Sequence, residues 1–374
     1  MIKISDNFDS GNIRVIDSSN ASDIKLEIKH DNESEFFQWF HFRVQAPKDT
    51  RLKLQITNAG KSAYTPGWEN YKACASYDRE EWFRVEETSF DGETLTIDFE
   101  NDFNTVYFSY FAPYSHERHL DLLSLAQLDS RCELESLGET LDGRDMSLLK
   151  IGHGPKKVWM TARQHPGESM AEWFVEGFLQ RLLDTNESLS IKALEMATFY
   201  VVPNMNPDGS VRGHLRTNAA GVNLNREWQD PSVEKSPEVF FVRGKMDEVG
   251  VDIFLDIHGD ENLPYNFVAG SEGNLSYTNE IAELESTFKE AFLNASPDFQ
   301  TNVGYPIDAR GESNMTVATN AIGDRFNCMA YTLEMPFKDN IEMPCPIYGW
   351  SPKRSEALGR DILLPIHAVL KKIL

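Results

Sequence analysis

The chain has 374 residues, 41% of them hydrophobic, which is long for one domain and comfortable for two. Its net charge of −23 and pI near 4.8 argue against nucleic acid or an anionic membrane surface as a partner, since both call for a basic face. The N-terminus has no basic-then-apolar leader, no apolar run approaches the ~20 residues of a membrane span, and Cys74, Cys132, Cys328 and Cys345 lack Cys-x-x-Cys spacing; the expectation is a reduced, cytoplasmic protein without membrane contact.

Residues 1–115 read as all-β. Short runs rich in β-branched and aromatic residues recur at 12–16, 35–44, 51–56, 81–85 and 94–99, with turn residues such as Ala46-Pro47 and Asp91-Gly92 between them. This punctuation predicts a sandwich, with the aromatics of 36–42 in its core. Within 115–126 the apolar period changes from two to 3.6 without a Gly/Ser linker, which predicts a second domain, 116–374, packed directly on the first.

From there strands and helices alternate. Helix 116–128 precedes strands near 131–137, 146–151 and 157–162; helix 169–184, strand 196–203 and a long loop to about 230 come next. Helix 236–249, strand 251–257, helix 278–295, a Gly- and Asn-rich loop, strand 328–335 and a terminal helix 354–373 complete the chain. The expected fold is α/β: a mixed, mostly parallel sheet with helices on both faces, preceded by an all-β sandwich domain. Ligands in such sheets bind at the carboxyl ends of the strands.

One stretch carries the strongest chemical signal. An apolar run at 158–162 leads into His165-Pro166-Gly167-Glu168, and Met170, Phe174, Phe178 and Leu182 then recur at helical spacing. His165 and Glu168, three residues apart in a turn, can offer an imidazole nitrogen and a carboxylate oxygen to one Zn²⁺, and a catalytic zinc takes a third protein ligand. The same spacing at His30/Glu33 lies in a polar run and reads as a solvated turn. His258 ends the apolar run 251–257, at a strand's carboxyl end, and is the third ligand. Alone it would read as a core histidine; beside the first pair it does not. Glu334 interrupts the apolar run 328–337, where a carboxylate is costly unless paired or functional, so it is assigned as general base. The loop around 203–228 carries Arg216, Asn225 and Arg226, residue types that clamp a carboxylate but are also ordinary in an exposed loop.

Taken in order, His165-Pro-Gly-Glu168, Arg216, Gly221-Val-Asn-Leu-Asn225-Arg226, Asp256-Ile-His258-Gly and Tyr331-Thr-Leu-Glu334 resemble the zinc carboxypeptidase (funnelin) family, and within it the cytosolic carboxypeptidase-like branch. Residues 71–85 and Phe111-Ala-Pro-Tyr-Ser115 resemble that branch's N-terminal domain. The resemblance implies that His165, Glu168 and His258 bind Zn²⁺, that Glu334 is the general base and acid, and that Arg216 polarises the scissile carbonyl. Asn225 and Arg226 would hold the terminal carboxylate, making the enzyme an exopeptidase on peptides or protein tails. Two positions depart from the pattern. Asn223 stands where the family has an aspartate behind the first zinc histidine, and the substrate-capping tyrosine is not marked by a motif; Tyr305 is the candidate. Many relatives remove acidic residues such as glutamate, and Arg310 is the candidate partner for an acidic side chain. The competing readings are an N-acyl amino acid amidohydrolase of the aspartoacylase or succinylglutamate desuccinylase kind, and a catalytically silent peptide-binding protein. No residue pattern sets an oligomeric state.

Overall fold

The structure, a computed structural model, describes residues 2–374. Ten strands come first: β1 (Lys3–Ser5), β2 (Arg14–Asp17), β3 (Ile24–Glu27), β4 (His41–Gln45), β5 (Arg51–Ile56), β6 (Cys74–Ser76), β7 (Phe83–Arg84), β8 (Thr88–Phe90), β9 (Leu95–Glu100) and β10 (Thr105–Ser109). In β5, Leu52, Leu54 and Ile56 are buried while Arg51 and Lys53 are exposed, the alternation a half-buried strand requires. The strands form two sheets, β1-β4-β10-β6-β7 and β2-β3-β5-β9-β8. They meet across an aromatic layer in which Phe99 of β9 lies edge-on to Phe108 of β10, ring centres 5.4 Å apart. The strand expected from residue 35 starts only at His41. Residues 36–40 lie outside any strand, because their polar groups go to scattered partners: Phe36 O accepts from Asp31 N–H, Phe37 O from Ala63 N–H, and the Gln38 side chain bonds the Tyr64 backbone. Their aromatics are nonetheless core, with Phe37, Trp39 and Phe40 buried.

Ser115 caps α1 (His116–Ala126), its hydroxyl accepting from the Arg118 N–H. Then follow β11 (Cys132–Glu139), β12 (Asp145–Ile151), β13 (Lys156–Ala162), α2 (Met170–Leu182), α3 (Ser188–Met196), β14 (Ala197–Val202), α4 (Pro207–Arg212), α5 (Pro237–Val249), β15 (Ile253–Asp260), β16 (Phe267–Ala269), α6 (Asn279–Ala295), α7 (Ala318–Phe326), β17 (Met329–Pro336), α8 (Pro352–Asp361) and α9 (Leu363–Ile373). The strands form one sheet, β11-β12-β14-β13-β15-β17-β16, parallel through its four central strands and antiparallel at both margins. Successive residues of the central strands serve opposite cores. Val158, Met160 and Leu255 join the side chains of α2, α3, α6 and α9, whereas Trp159, Phe254 and Ala330 join those of α5 and α7. The expected mixed sheet with helices on both faces is therefore present.

The sequence pattern missed α3, α4, β16 and α7. The α7 segment sets Thr, Asn and Gly among its apolar residues, so its period is weak, yet Ala318, Ala321 and Ile322 find burial against the sheet. The terminal helix, expected in one piece, is divided at Ile362. Pro365 has no N–H for the Asp361 carbonyl, so the helix stops and restarts.

The two parts of the chain share one core. Tyr110 stacks on Phe337 with ring centres 4.6 Å apart, and the buried Arg84 donates to the carbonyls of Phe337 (2.7 Å) and Trp350 (3.0 Å). We propose 1–115 and 116–374 as the two domains.

Candidate active site

After β13 the chain turns at Arg163, whose φ of +58° is uncommon outside glycine. Tertiary contacts hold it there: its buried guanidinium donates to Pro166 O (2.9 Å), to Tyr114 O (2.9 Å) and to the carboxylate of Glu172. This turn brings His165 and Glu168 over the end of the sheet. In β15, Asp256, His258 and Asp260 fall on one face at period two. The parallel register of β15 and β17 sets His258 opposite Glu334. Strand pairing alone thus makes the third expected ligand and the expected base neighbours.

The two histidine rings have the same orientation logic. His165 Nε2 lies 3.1 Å from Asn223 Oδ1, which also accepts from the Asn225 N–H, so the ring nitrogen is the donor. His258 Nε2–H donates to Asp256 Oδ2 at 2.7 Å. With each ring neutral, both inner Nδ1 atoms present lone pairs. They lie 3.2 Å apart and within 2.6 and 2.8 Å of the two Glu168 oxygens. Asp256 is fixed in turn by Thr161 Oγ1 (2.8 Å) and Gln164 Nε2 (2.5 Å), and Gln164 by Trp228 Nε1 (2.7 Å). Ligand atoms of His165, Glu168 and His258 all fall within 4.8 Å of one another, and all three residues are buried. Two lone pairs and a carboxylate converging on one point suit a cation, and this N, N, O set suits zinc. Electrostatics distinguish the two rings. Burial would lower the His258 pKa, but Asp256 and Glu168 outweigh it and hold the ring well above the usual histidine range, so a cation bound there displaces a proton. Burial pushes the His165 pKa down to about 4, keeping the ring neutral. Burial would raise Glu168, but His165 and His258 outweigh it and hold the carboxyl well below its usual range.

Glu334 stands beside this centre. Burial, with Glu168 and Asp260 nearby, pushes its carboxyl well above the usual range. Tyr305 brings its hydroxyl to 2.6 Å from Asp260 Oδ2 and 3.1 Å from Glu334 Oε1. All open on a cleft of about 610 Å³ that also takes in Tyr64, Arg216, Asn225 and Arg226. Asn225 Oδ1 accepts from the Ala318 N–H at 2.8 Å, so what it offers the cleft is its amide NH₂. Among the described residues, neither Arg216 nor Arg226 has a carboxylate within 4.0 Å. Two guanidiniums without counter-ions in one cleft favour an anionic ligand. Arg310 is not part of this wall. It is exposed and donates to Leu275 O at 3.2 Å, because its loop carries the side chain outward.

Comparison with known proteins agrees with this geometry. Residues 119–358 match the family described as zinc carboxypeptidase, and residues 4–111 that described as cytosolic carboxypeptidase N-terminal domain. The chain belongs to the zinc carboxypeptidase family. A crystal structure of a putative carboxypeptidase A from Shewanella denitrificans is 54% identical, superposes with a TM-score of 0.97 and covers 99% of both chains. A metallo-carboxypeptidase from Pseudomonas aeruginosa, solved in complex with (2-guanidinoethylmercapto)succinic acid, is 45% identical with a TM-score of 0.97 and full coverage of both chains. Human cytosolic carboxypeptidase 2 is 30% identical over 304 residues, 71% of this chain and 34% of the human protein. The chain thus spans about a third of that relative's length. Zinc is the metal of this family, and the donor set described above fits it.

Sequence reasoning assigned no role to three residues at this family site. Asp260 had a visible signal, since it continues the period-two series Asp256, His258 along a buried strand. Tyr64 and Asp31 had none. Both come from the N-terminal domain and reach the cleft or its loops across more than 100 positions of chain.

Proposed function

We propose that this zinc carboxypeptidase removes the C-terminal residue from peptides or protein tails, with His165, Glu168 and His258 holding the metal. The observation that carries this reading is the pair of guanidiniums without counter-ions, Arg216 and Arg226, sharing one cleft with the buried Glu334 and with His165 and Glu168, two of the three converging metal donors. Bound zinc supplies a Lewis acid that activates water and polarises a carbonyl. Arg226 and the Asn225 amide bind the terminal carboxylate, which sets the cut one residue from the end. Arg216 donates to the carbonyl oxygen as it gains charge. Glu334 takes a proton from the attacking water and delivers it to the leaving amine. Burial holds its carboxyl above the usual range, which favours keeping the proton until the amine leaves. Tyr305 stands over the base and caps the bound residue.

The side-chain preference is a separate matter. The glutamate preference implied by the resemblance had Arg310 as its candidate partner, and Arg310 lies outside the cleft wall. The wall carries Asp260, Glu261, Glu272 and Asp308, and its only lysine, Lys289, is 3.6 Å from Glu272. These carboxylates, with the guanidino ligand of the Pseudomonas relative, favour a basic C-terminal side chain over an acidic one. A cytoplasmic location accords with the cytosolic carboxypeptidase match of residues 4–111.

The test is release of C-terminal residues by zinc-loaded protein from peptides ending in Lys, Leu or Glu, run beside N-acyl amino acids. Peptide cleavage with N-acyl substrates inert supports the proposal. The reverse result would establish an amidohydrolase, and zinc binding without any hydrolysis a peptide-binding protein.

A further inference from the structure

The N-terminal domain reaches the cleft through Arg216, and the contact centres on one carboxylate. Asp31, 3% exposed, accepts hydrogen bonds from three successive backbone N–H groups, those of Leu215 (2.6 Å), Arg216 (2.8 Å) and Thr217 (2.9 Å), and from the Thr217 hydroxyl (3.1 Å). Three N–H groups aimed at one carboxylate fix the peptide planes on both sides of Arg216, and with them the direction its side chain takes. Neighbouring contacts stiffen the same loop. The Asn32 N–H donates to His214 Nε2 (3.1 Å), His214 Nδ1–H donates to Thr217 O (2.9 Å), and the Asn32 amide donates to Ala219 O (2.8 Å). Gly221, at φ +72°, lies so close that a Cβ there would sit 2.6 Å from the Glu33 carbonyl oxygen.

Further out, the Arg216 guanidinium lies over Phe36 and Tyr64, 5.6 and 5.3 Å from the ring centres. Gln38 brackets Tyr64, accepting from its N–H (2.8 Å) and donating to its carbonyl (3.1 Å). Aromatic faces steady a cation without consuming its N–H donors, which stay free for the cleft. The structure assigns Asp31 as a positioning residue for catalysis: it sets the Arg216 backbone, while Phe36 and Tyr64 set the guanidinium. The N-terminal domain thereby completes the geometry of the reaction site. This inference rests on the carboxypeptidase reading of Arg216.

A brace that only held the domains together would act on folding, and its effect would not depend on the residue at 216. A double-mutant cycle on the zinc-loaded full chain separates the two, with kcat and KM read for wild type, Asp31→Asn, Arg216→Ala and the double variant. Asp31→Asn is expected to lower kcat about 10-fold with KM within about 2-fold, and Arg216→Ala to lower it roughly 100-fold. The double variant is expected to be no slower than Arg216→Ala alone. A double variant slower by the full factor of Asp31→Asn, or an Asp31→Asn enzyme equal to wild type, overturns the inference. Wild-type kcat in Arg216→Ala would instead remove the reading of Arg216, and the inference with it. Should Asp31→Asn fail to fold, Thr217→Val deletes one of the four bonds at nearly constant volume. Its loss of about 3-fold should vanish in the Arg216→Ala background; persistence there is the overturning result.

Discussion

His165, Glu168, His258 and Glu334 stand at strand ends or in the first turn beyond one, whereas Arg216, Asn225, Arg226 and Tyr305 stand on loops and short turns. The first group is positioned by ladder register: His258 faces Glu334 because β15 pairs with β17, and every residue of both strands is buried. The second group depends on braces set elsewhere in the chain. Asp31 holds the Arg216 backbone, the Ala318 N–H holds Asn225, and Asn218 Oδ1 accepts from the N–H groups of Ala220 and Val222 just ahead of Asn223. A rigid metal-binding half and a braced substrate half are what the proposed reaction asks for, since the metal geometry is common to any substrate and the recognition geometry is not.

The sharpest way to break this contrast is Glu334→Gln. It should cut turnover by roughly 10⁴-fold while metal analysis still finds zinc, because the base is not a ligand. Loss of zinc in that variant would show that the two functions are not separate. Arg226→Ala tests the other half. Activity on free-acid peptides should fall roughly 100-fold, and the variant should no longer distinguish them from C-terminally amidated ones. Retained discrimination would move carboxylate recognition elsewhere.

Behind the metal, Asp256→Asn should weaken zinc binding by about 10–100-fold in a chelator competition, since it removes the charge that His258 leans on. The reverse change, Asn223→Asp, should tighten it; unchanged affinity would mean that the partner of His165 does not tune the centre. The remaining effect expected is on stability. Glu238, buried at the start of α5 and bonded to Asn218, has its pKa pushed by burial from 4.5 up to about 7. The folded-state value lies above the unfolded one, so its contribution is complete below pH 4.5 and is lost as pH rises through 7, at most about 3 kcal/mol. Denaturant unfolding between pH 5 and 8 should therefore show a falling stability whose slope Glu238→Gln makes shallower, with Glu285, also raised to about 7, supplying part of what remains. An equal slope in both proteins would rule this out.

Much of the metal-binding half was legible in the linear chain. His165-Pro-Gly-Glu168 follows an apolar strand, His258 closes another, and Glu334 is the carboxylate in a third, so burial pattern and ligand chemistry point to the same residues. Arg310 shows the opposite case. A cation in a loop near the catalytic strand has two sides to choose from, and local sequence does not choose. Likewise 36–40 read as strand because its aromatics are core, but a strand needs a partner as well as an apolar face, and partners are not local.

By itself, then, the sequence determined the α/β alternation, the β-rich N-terminal part, the three donors that converge and the buried Glu334 beside them, because each depends on periodicity or on spacing within one or two elements. Only the tertiary structure decided which histidine nitrogen faces inward, that Arg310 points out, and that Asp31, Phe36 and Tyr64 hold Arg216 from another domain. These depend on contacts between residues more than 100 positions apart or on the direction a loop leaves the surface, and such contacts exist only after both domains have closed on their shared core.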